Sequence, residues 1–347
     1  MSLVSIILFA IVGTVVSFFV CYLGTELSIR YLNKRKMTVL DYHKVGRLQV
    51  PRPGGPAILG GIVLGELILF AASGSYAVLG LVFVTLISGV VGILDDLKTL
   101  GGVAKPLLLL LGGVPLIALE YLVPNASVFN HHLYLPLFAL PTNLPVIYIL
   151  LVLIAIPVVT NTVNTIDVLN GVVSGFMLIA CLPVMFAIAL RVLAGRTDPV
   201  VMFAMMPLIA SLGAFFLFHR YPSKIFPGDS GALGIGGAFG AMAIIGGVEI
   251  VAIVAILPAI LNSFLFLSSV KRLVEHRQIK NQPTVTLPDA KMTASADPKA
   301  PVTLMRMLLA GRSLSEYQMV GEIFKLAAFS AVLAAITAVL TWVYTIA

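Results

Sequence analysis

Apolar runs of roughly 17 to 25 residues, the length at which a helix crosses the hydrocarbon layer of a bilayer, recur along this chain from Leu3 to its last residues. Inside a bilayer every backbone N–H and C=O has to be satisfied within the protein, which leaves helices and closed barrels. Barrel strands read as short alternating segments, and these runs do not alternate. The expected fold is an all-α polytopic membrane protein with about ten transmembrane helices, near 3–23, 56–72, 76–94, 106–122, 146–163, 171–190, 201–218, 231–248, 249–268 and 322–345. Only 11% of the residues are charged, against about 25% in an ordinary soluble domain, so a water-soluble core is excluded.

Lys and Arg orient the bundle, because basic loops stay on the cytoplasmic side. Of the 22 such residues, all but Arg191 and Arg196 fall on one side. Both termini are therefore expected outside, and the inner, cytoplasmic loops are 24–55, 95–105, 164–170, 219–230 and 269–321. The formal charge of +7 is a topology signal and not a nucleic-acid footprint, although a basic inner face also attracts anionic lipids and phosphorylated ligands. Cys21 and Cys181 both lie inside spans, where they behave as small apolar residues, and they imply no disulfide framework. The first span has neither a basic leader nor a small-residue cleavage site and reads as retained.

No soluble domain, fixed-period repeat or inverted repeat is visible, so residues 1–347 read as a single membrane domain. The longest inner loop, 269–321, is long enough to cover a site, and its Leu304 to Leu309 segment reads as an interfacial helix. Outside, His131, Leu133, Leu135 and Leu137 alternate between Pro and Asn turn signals, which suggests a short hairpin. Asn125-Ala-Ser127 is a glycosylation acceptor pattern in the same stretch.

The inner loops hold the chemistry. Asp95 and Asp96 follow directly on the apolar run ending at Leu94. Asp167 lies in Asn161-Thr-Val-Asn164-Thr-Ile-Asp167-Val-Leu-Asn170, and Asp229 in Phe226-Pro-Gly-Asp229-Ser-Gly231. Oxygen donors without a Cys/His cluster favour a hard cation such as Mg²⁺, held by one or two carboxylates plus phosphate oxygens and water. His43, Lys44, Arg47, Lys105, His276 and Arg277 flank these acids, and acids for a metal beside bases for phosphate suggest phosphoryl transfer.

Blander readings exist for each residue. Helix capping or a solvated loop accounts equally well for Asp95 and Asp96 alone, and the surroundings of Asp167 and Asp229 are also ordinary turn chemistry. Lys44 and Arg47 also serve to enforce topology, and His43, His131, His132 and His276 read as structural first. Four acids facing one compartment are harder to explain that way together. Glu66, within the second span, is a functional hypothesis by position. Gly234, Gly236, Gly237 and Gly240 imitate a dinucleotide fingerprint, but no strand precedes them, and close helix packing through Gly236-x-x-x-Gly240 is the better reading.

These motifs resemble those of the polyprenyl-phosphate N-acetylhexosamine-1-phosphate transferases, a family of ten-span enzymes with both termini outside. Four pieces carry the resemblance over most of the chain: Asp41-Tyr-His-Lys44 followed by Pro51 and Gly54-Gly55; Asp95-Asp96 with Lys105; Asn164 to Asn170; and Phe226-Pro-Gly-Asp229-Ser. In the last inner loop, Glu275-His276-Arg277 followed by Thr284-Val-Thr-Leu-Pro-Asp289 is similar to the archaeal and eukaryotic branch, which makes GlcNAc-pyrophosphoryl-dolichol from UDP-GlcNAc and dolichyl phosphate as the first step of N-glycosylation. Two residues depart from that branch. Glu275 stands where the eukaryotic members carry Arg, with Lys271, Arg272 or Lys280 as substitutes, and Asp167 is Asp as in bacterial members.

The resemblance implies a Mg²⁺-dependent glycosyl-1-phosphate transferase, with Mn²⁺ as the alternative ion. It implies Asn164 and Asp229 as metal ligands with Asp167 as a further candidate, Asn170 at the uridine, Lys105 at the acceptor phosphate, and His276 with Arg277 at the donor phosphates and sugar. Lys44 is a further substrate-binding candidate, and Asp95 and Asp96 form a catalytic pair, Asp96 positioning acceptor or metal and Asp95 assisting deprotonation. The partners implied are a UDP-sugar, a polyprenyl phosphate and membrane lipids; a homodimer is compatible with the sequence. The membrane expected is the plasma membrane of an archaeon-like cell, with the endoplasmic reticulum as the alternative. A bacterial-type enzyme acting on UDP-MurNAc-pentapeptide, or on a UDP-HexNAc with undecaprenyl phosphate, is the near rival. A transporter is the remote one, since it would need ionisable groups near the bilayer midplane.

Overall fold

A computed structural model describes residues 3–42, 48–134, 142–143, 145–271 and 281–346. It is the helical bundle the apolar runs predict. Among the described residues, nine helices are long and apolar enough to cross a membrane, and a further pair of helices, bent by 72° at their junction, is long and apolar enough only when taken together. In chain order they are α1 (Leu3–Lys34), α2 (Gly55–Ser73), α3 (Tyr76–Leu97), α4 (Ala104–Leu109) running through a 3₁₀ turn into α5 (Val114–Leu122), α6 (Pro145–Thr165), α7 (Val172–Leu193), α8 (Pro199–His219), α9 (Gly228–Gly246), the bent pair α10 (Glu249–Ala255) and α11 (Leu257–Val270), then a short α12 (Leu304–Leu308) and the last span α13 (Glu316–Ile346).

Two spans differ in length from the hydropathy reading. α1 continues eleven residues past its apolar run to Lys34 and bears an exposed Glu26–Arg30 ion pair one turn apart at 2.5 Å. α13 begins at Glu316, within the segment read as loop. The bend between α10 and α11 falls where Pro258 enters the first turn of α11 without an N–H to donate back.

The core is built around α9, in which every residue from Gly228 to Gly246 is buried. A helix enclosed on all sides has to let its neighbours approach closely, and the glycines do that. A Cβ on Gly237 would lie 2.3 Å from Ser88 Oγ on α3, and one on Gly236 would lie 2.7 Å from Thr160 Cα on α6. Small residues at helix contacts are the usual solution where lipid supplies no hydrophobic drive, so the glycine run is a packing device. Outward-facing Leu8, Phe19, Leu23 and Leu27 of α1 are exposed, as a lipid-facing surface should be.

Short sheets punctuate the connections. β1 (Thr38–Leu40) pairs antiparallel with β2 (Gln49–Pro51), placing Val39 opposite Val50. β3 (His132–Leu133) pairs antiparallel with β4 (Thr142–Asn143), while Leu135 and Leu137 of the alternation read as a hairpin lie outside the described residues. β5 (Thr284–Thr286), β6 (Lys291–Ala294) and β7 (Leu314–Ser315) form a three-stranded sheet in that order. α12 lies beside this sheet with Leu304 and Met305 buried, and the Leu304 N–H donates to Asn262 Oδ1 at 2.9 Å. The Leu304 segment, read from sequence as an interfacial helix, is thus tied to the bundle through Asn262 of α11.

Candidate active site

The site begins with two backbone segments laid side by side at one end of the bundle. Phe226 N–H donates to Pro51 C=O at 3.0 Å, Gly54 N–H to Phe226 C=O at 2.8 Å and Gly55 N–H to Pro227 C=O at 2.8 Å. This ties the entry of α2 to the entry of α9. The approach needs glycine: a Cβ on Gly55 would sit 2.2 Å from Gly231 N. At the start of α9, Gly228 has φ +72°, and a Cβ there would lie 2.7 Å from Asp96 Oδ2.

Asp96, in the last turn of α3, closes that gap. Its two carboxylate oxygens accept from the Asp229 and Ser230 N–H groups at 3.0 and 2.9 Å. These are the unsatisfied donors of a helix start, where negative charge is favoured. Asp96 thus caps α9 across the bundle, and both readings of the sequence meet in it: it is a helix cap and it belongs to the acidic cluster.

Asp229 is the hub. Arg52 Nη2 reaches Asp229 Oδ2 at 2.5 Å and Asp96 Oδ1 at 3.2 Å, while Lys105 Nζ and Asn164 Nδ2 donate to Asp229 Oδ1 at 3.1 and 3.0 Å. Lys105 is buried and also pairs with Asp95 Oδ2 at 2.6 Å. The other Asp95 oxygen accepts from the Leu100 N–H at 2.6 Å, and the residue is fully buried. Asp95, expected to assist deprotonation, stands behind Lys105, outside the cavity lining, and holds the ammonium in place. Lys105, expected at the acceptor phosphate, is likewise committed to Asp95 and Asp229.

The cluster opens on a cavity of about 680 Å³ whose lining includes Arg52, Asn164, Asp167, Asn170, Phe226 and Asp229. Asp167, in the turn after α6, faces this space, and its carboxyl is pushed up to about 7, chiefly by removal from water; the Arg52 cation opposes the rise and the nearby Asp229 and Asp96 carboxylates reinforce it. Met305 in α12, Thr303 just before it, and Gln282 to Thr284 at the start of the small sheet form another wall of the cavity.

Asn170, expected at a uridine, lines the cavity but spends its side chain on protein. Its side-chain nitrogen donates to Glu316 Oε1 at 2.6 Å and Asp41 Oδ2 at 3.2 Å, its backbone N–H donates to the same Glu316 oxygen at 2.9 Å, and its Oδ1 accepts from the Ser223 N–H at 2.6 Å. It is a buried strut joining the first inner loop, the α8–α9 connection and the start of α13. Lys44, His276 and Arg277, expected to bind substrate, and His43 and Arg47 lie outside the described residues.

Sequence reasoning left out three side chains that matter here. Arg52 stood only among the topology-setting bases, although it lies between Pro51 and Gly54-Gly55. Glu316 and Asn262 carried no local signal; Asn262 donates to the Thr165 C=O at 2.8 Å and so ties α11 to α6.

Asp229, Asp167 and the amide oxygen of Asn164 suit a hard cation held by one or two carboxylates, with phosphate oxygens and water completing the shell. They do not make a closed protein cage, since among the described residues no three His, Cys, Asp or Glu side chains converge for a metal.

The glycosyl transferase family 4 profile matches residues 78–247. A protein of Saccharolobus solfataricus with the provisional name UDP-N-acetylglucosamine–dolichyl-phosphate N-acetylglucosaminephosphotransferase is 29% identical over 245 residues, covering 69% of this chain and 72% of the relative. Its namesake in Sulfolobus acidocaldarius is 29% identical over 252 residues, 71% and 72% of the two chains. The phospho-N-acetylmuramoyl-pentapeptide-transferase of Listeria innocua is 30% identical over 253 residues, 69% and 76%. Fold, acidic cluster and relatives together define a phosphotransferase embedded in a membrane. The chain belongs to glycosyl transferase family 4.

Proposed function

We propose that the protein transfers GlcNAc-1-phosphate from UDP-GlcNAc to dolichyl phosphate, releasing UMP, with the site on the cytoplasmic face of an archaeal-type plasma membrane. The observation that carries the reading is the grouping of Asp229 with Asp96, Lys105, Arg52 and Asn164 at the edge of a 680 Å³ cavity at one end of the bundle. A lipid confined to the bilayer and a water-soluble nucleotide can meet there. The names of the two archaeal relatives support this donor and acceptor.

In the reaction, an oxygen of the acceptor phosphate attacks the phosphorus that bears the sugar. The bond from that phosphorus to the bridging oxygen breaks, and UMP leaves with that oxygen. A phosphate monoester has its second pKa near ~6 and is mostly dianionic at neutral pH, so the attacking oxygen needs little help from a base, and a buried Asp95 is no obstacle. Mg²⁺, when bound, supplies charge neutralisation at the pyrophosphate; Asp229, Asn164 and Asp167 are the residues that would hold it. Asp96 fixes Asp229 by capping α9, and Lys105 and Arg52 orient its two oxygens. One pyrophosphate is exchanged for another, so the reaction is reversible.

The test is UMP release by protein purified in detergent with Mg²⁺, dolichyl phosphate and UDP-GlcNAc, beside an Asp229→Ala control. UMP that depends on both lipid and Mg²⁺ and is absent from the control supports the reading. The second reading, a muramoyl-pentapeptide donor, is favoured by the Listeria innocua relative; release from UDP-MurNAc-pentapeptide with undecaprenyl phosphate, and none from UDP-GlcNAc, would select it.

A further inference from the structure

Among the described residues that line the cavity, Arg52 is the sole base. Lys105, the other cation of the cluster, is 3% exposed at its side chain and lies behind Asp229, paired with Asp95. Arg52 is 26% exposed, and it spends one nitrogen on protein: Nη2 serves both Asp96 Oδ1 and Asp229 Oδ2. A guanidinium carries five N–H donors in a rigid fork. The donors on Nε and Nη1 make no hydrogen bond to the described residues, and the side chain borders the open space.

The position of this fork is fixed from both sides. The Arg52 N–H donates to the Met37 C=O at 3.2 Å, and the flanking residues Pro51 and Gly54 bond to Phe226. Arg52 is therefore locked in register with the start of α9, three residues from Phe226, where Asp229 sits. A planar guanidinium with one edge on carboxylates and another facing a cavity matches the two-pronged recognition of a phosphoryl group.

We propose that Arg52 is a substrate-binding residue: Nη2 holds Asp229 while Nε and Nη1 grip the pyrophosphate of the nucleotide donor. This rests on the donor reading above. The donor is assigned and not the lipid phosphate because Arg52 shares Asp229 with the expected metal position, and the pyrophosphate is the group that such a metal neutralises. Arg52 thereby couples the filling of the donor site to the orientation of Asp229, with separate nitrogens of one rigid fork assigned to the two tasks.

The experiment is equilibrium binding to the full chain in detergent, by calorimetry with UDP and UMP and by competition with uridine, in Mg²⁺ and again in EDTA, for wild type, Arg52→Gln and Arg52→Lys. Farnesyl phosphate is the soluble probe for the acceptor. Losing a charge-assisted phosphate contact should weaken UDP binding by about 10- to 100-fold in both variants, with uridine competition unchanged, farnesyl phosphate binding unchanged, and the loss present in EDTA. Arg52→Lys keeps a charge beside Asp229 and serves if Arg52→Gln fails to fold. Unchanged UDP affinity, or equal losses for UDP and uridine, would overturn the assignment, the second by showing that Arg52 only supports the scaffold. A loss confined to farnesyl phosphate would overturn it in favour of the acceptor. If wild type binds no uridine nucleotide, the donor reading falls, and this assignment falls with it.

Discussion

Asp96 and Asp229, 133 residues apart in the chain, are joined through the backbone: the carboxylate of the first accepts the N–H of the second at 3.0 Å. A single contact thus sets the start of the central helix and the position of the acid at the centre of the site. Asp96→Ala removes the cap and strands Arg52 on one carboxylate. Loss of a cap costs about 1 kcal/mol, so we expect a lowered unfolding temperature by differential scanning fluorimetry together with a loss of UMP release of about 100-fold or more, on the scale of losing a positioned charge contact. Full activity in a folded Asp96→Ala protein would show that Asp229 keeps its place unaided.

Asp95 and Lys105 form a buried pair, and breaking one member leaves the other uncompensated, at about 3–5 kcal/mol. Asp95→Ala and Lys105→Met are each expected to destabilise the protein strongly. The double variant should recover much of the stability and none of the activity. A thermal-unfolding cycle measures this, and additive losses would mean that the two charges are not coupled.

Asn170 tests the strut against the uridine contact. Asn170→Ala leaves the Ser223 N–H and two buried carboxylates short of a partner, each such group costing about 1–3 kcal/mol. Faster hydrogen exchange is expected through 220–227, with the ratio of UMP to CMP inhibition unchanged. A collapse of that ratio without faster exchange would restore the contact with the base.

Asp167 sets a pH signature. Its carboxyl titrates at about 7 in the fold against about 3.9 in an unfolded chain, so between those values the folded state binds the extra proton. Stability then falls as pH rises through that window. In EDTA, the unfolding temperature of the wild type should decline from pH 5 to 8 more steeply than that of Asp167→Asn, and parallel curves would contradict the placement.

Packing around α9 makes a separate prediction. Gly237→Ala would push against Ser88, 2.3 Å away, and should lower folded yield. Ser88→Gly in the same chain removes the obstructing atoms and should restore it, as monitored by size-exclusion chromatography.

The spans were legible because the bilayer fixes their length, and Asp95-Asp96 and Asp229 were legible because acids at the ends of apolar runs have no packing reason to be there; Asn164 was legible through the motif it shares with the family. What was hidden depends on contacts between distant segments. The partner of Asn170 is Glu316, 146 residues away, and it lies in a helix that hydropathy begins six residues too late. Arg52 reads as a topology charge until the zipper of Pro51 and Gly54 with Phe226 places it against Asp229. The bend at Ile256 leaves hydropathy untouched, since both halves are apolar.

The central claim is that phosphorus moves with the sugar onto the lipid. Single-turnover reaction of the purified protein with UDP-GlcNAc labelled with ³H in the sugar and ³²P at the sugar-bearing phosphorus, followed by extraction of the lipid phase, reads this directly. The account predicts both labels in the lipid in equal amounts, with unlabelled UMP in the water phase; ³H in the lipid without ³²P, or neither label there, would contradict it.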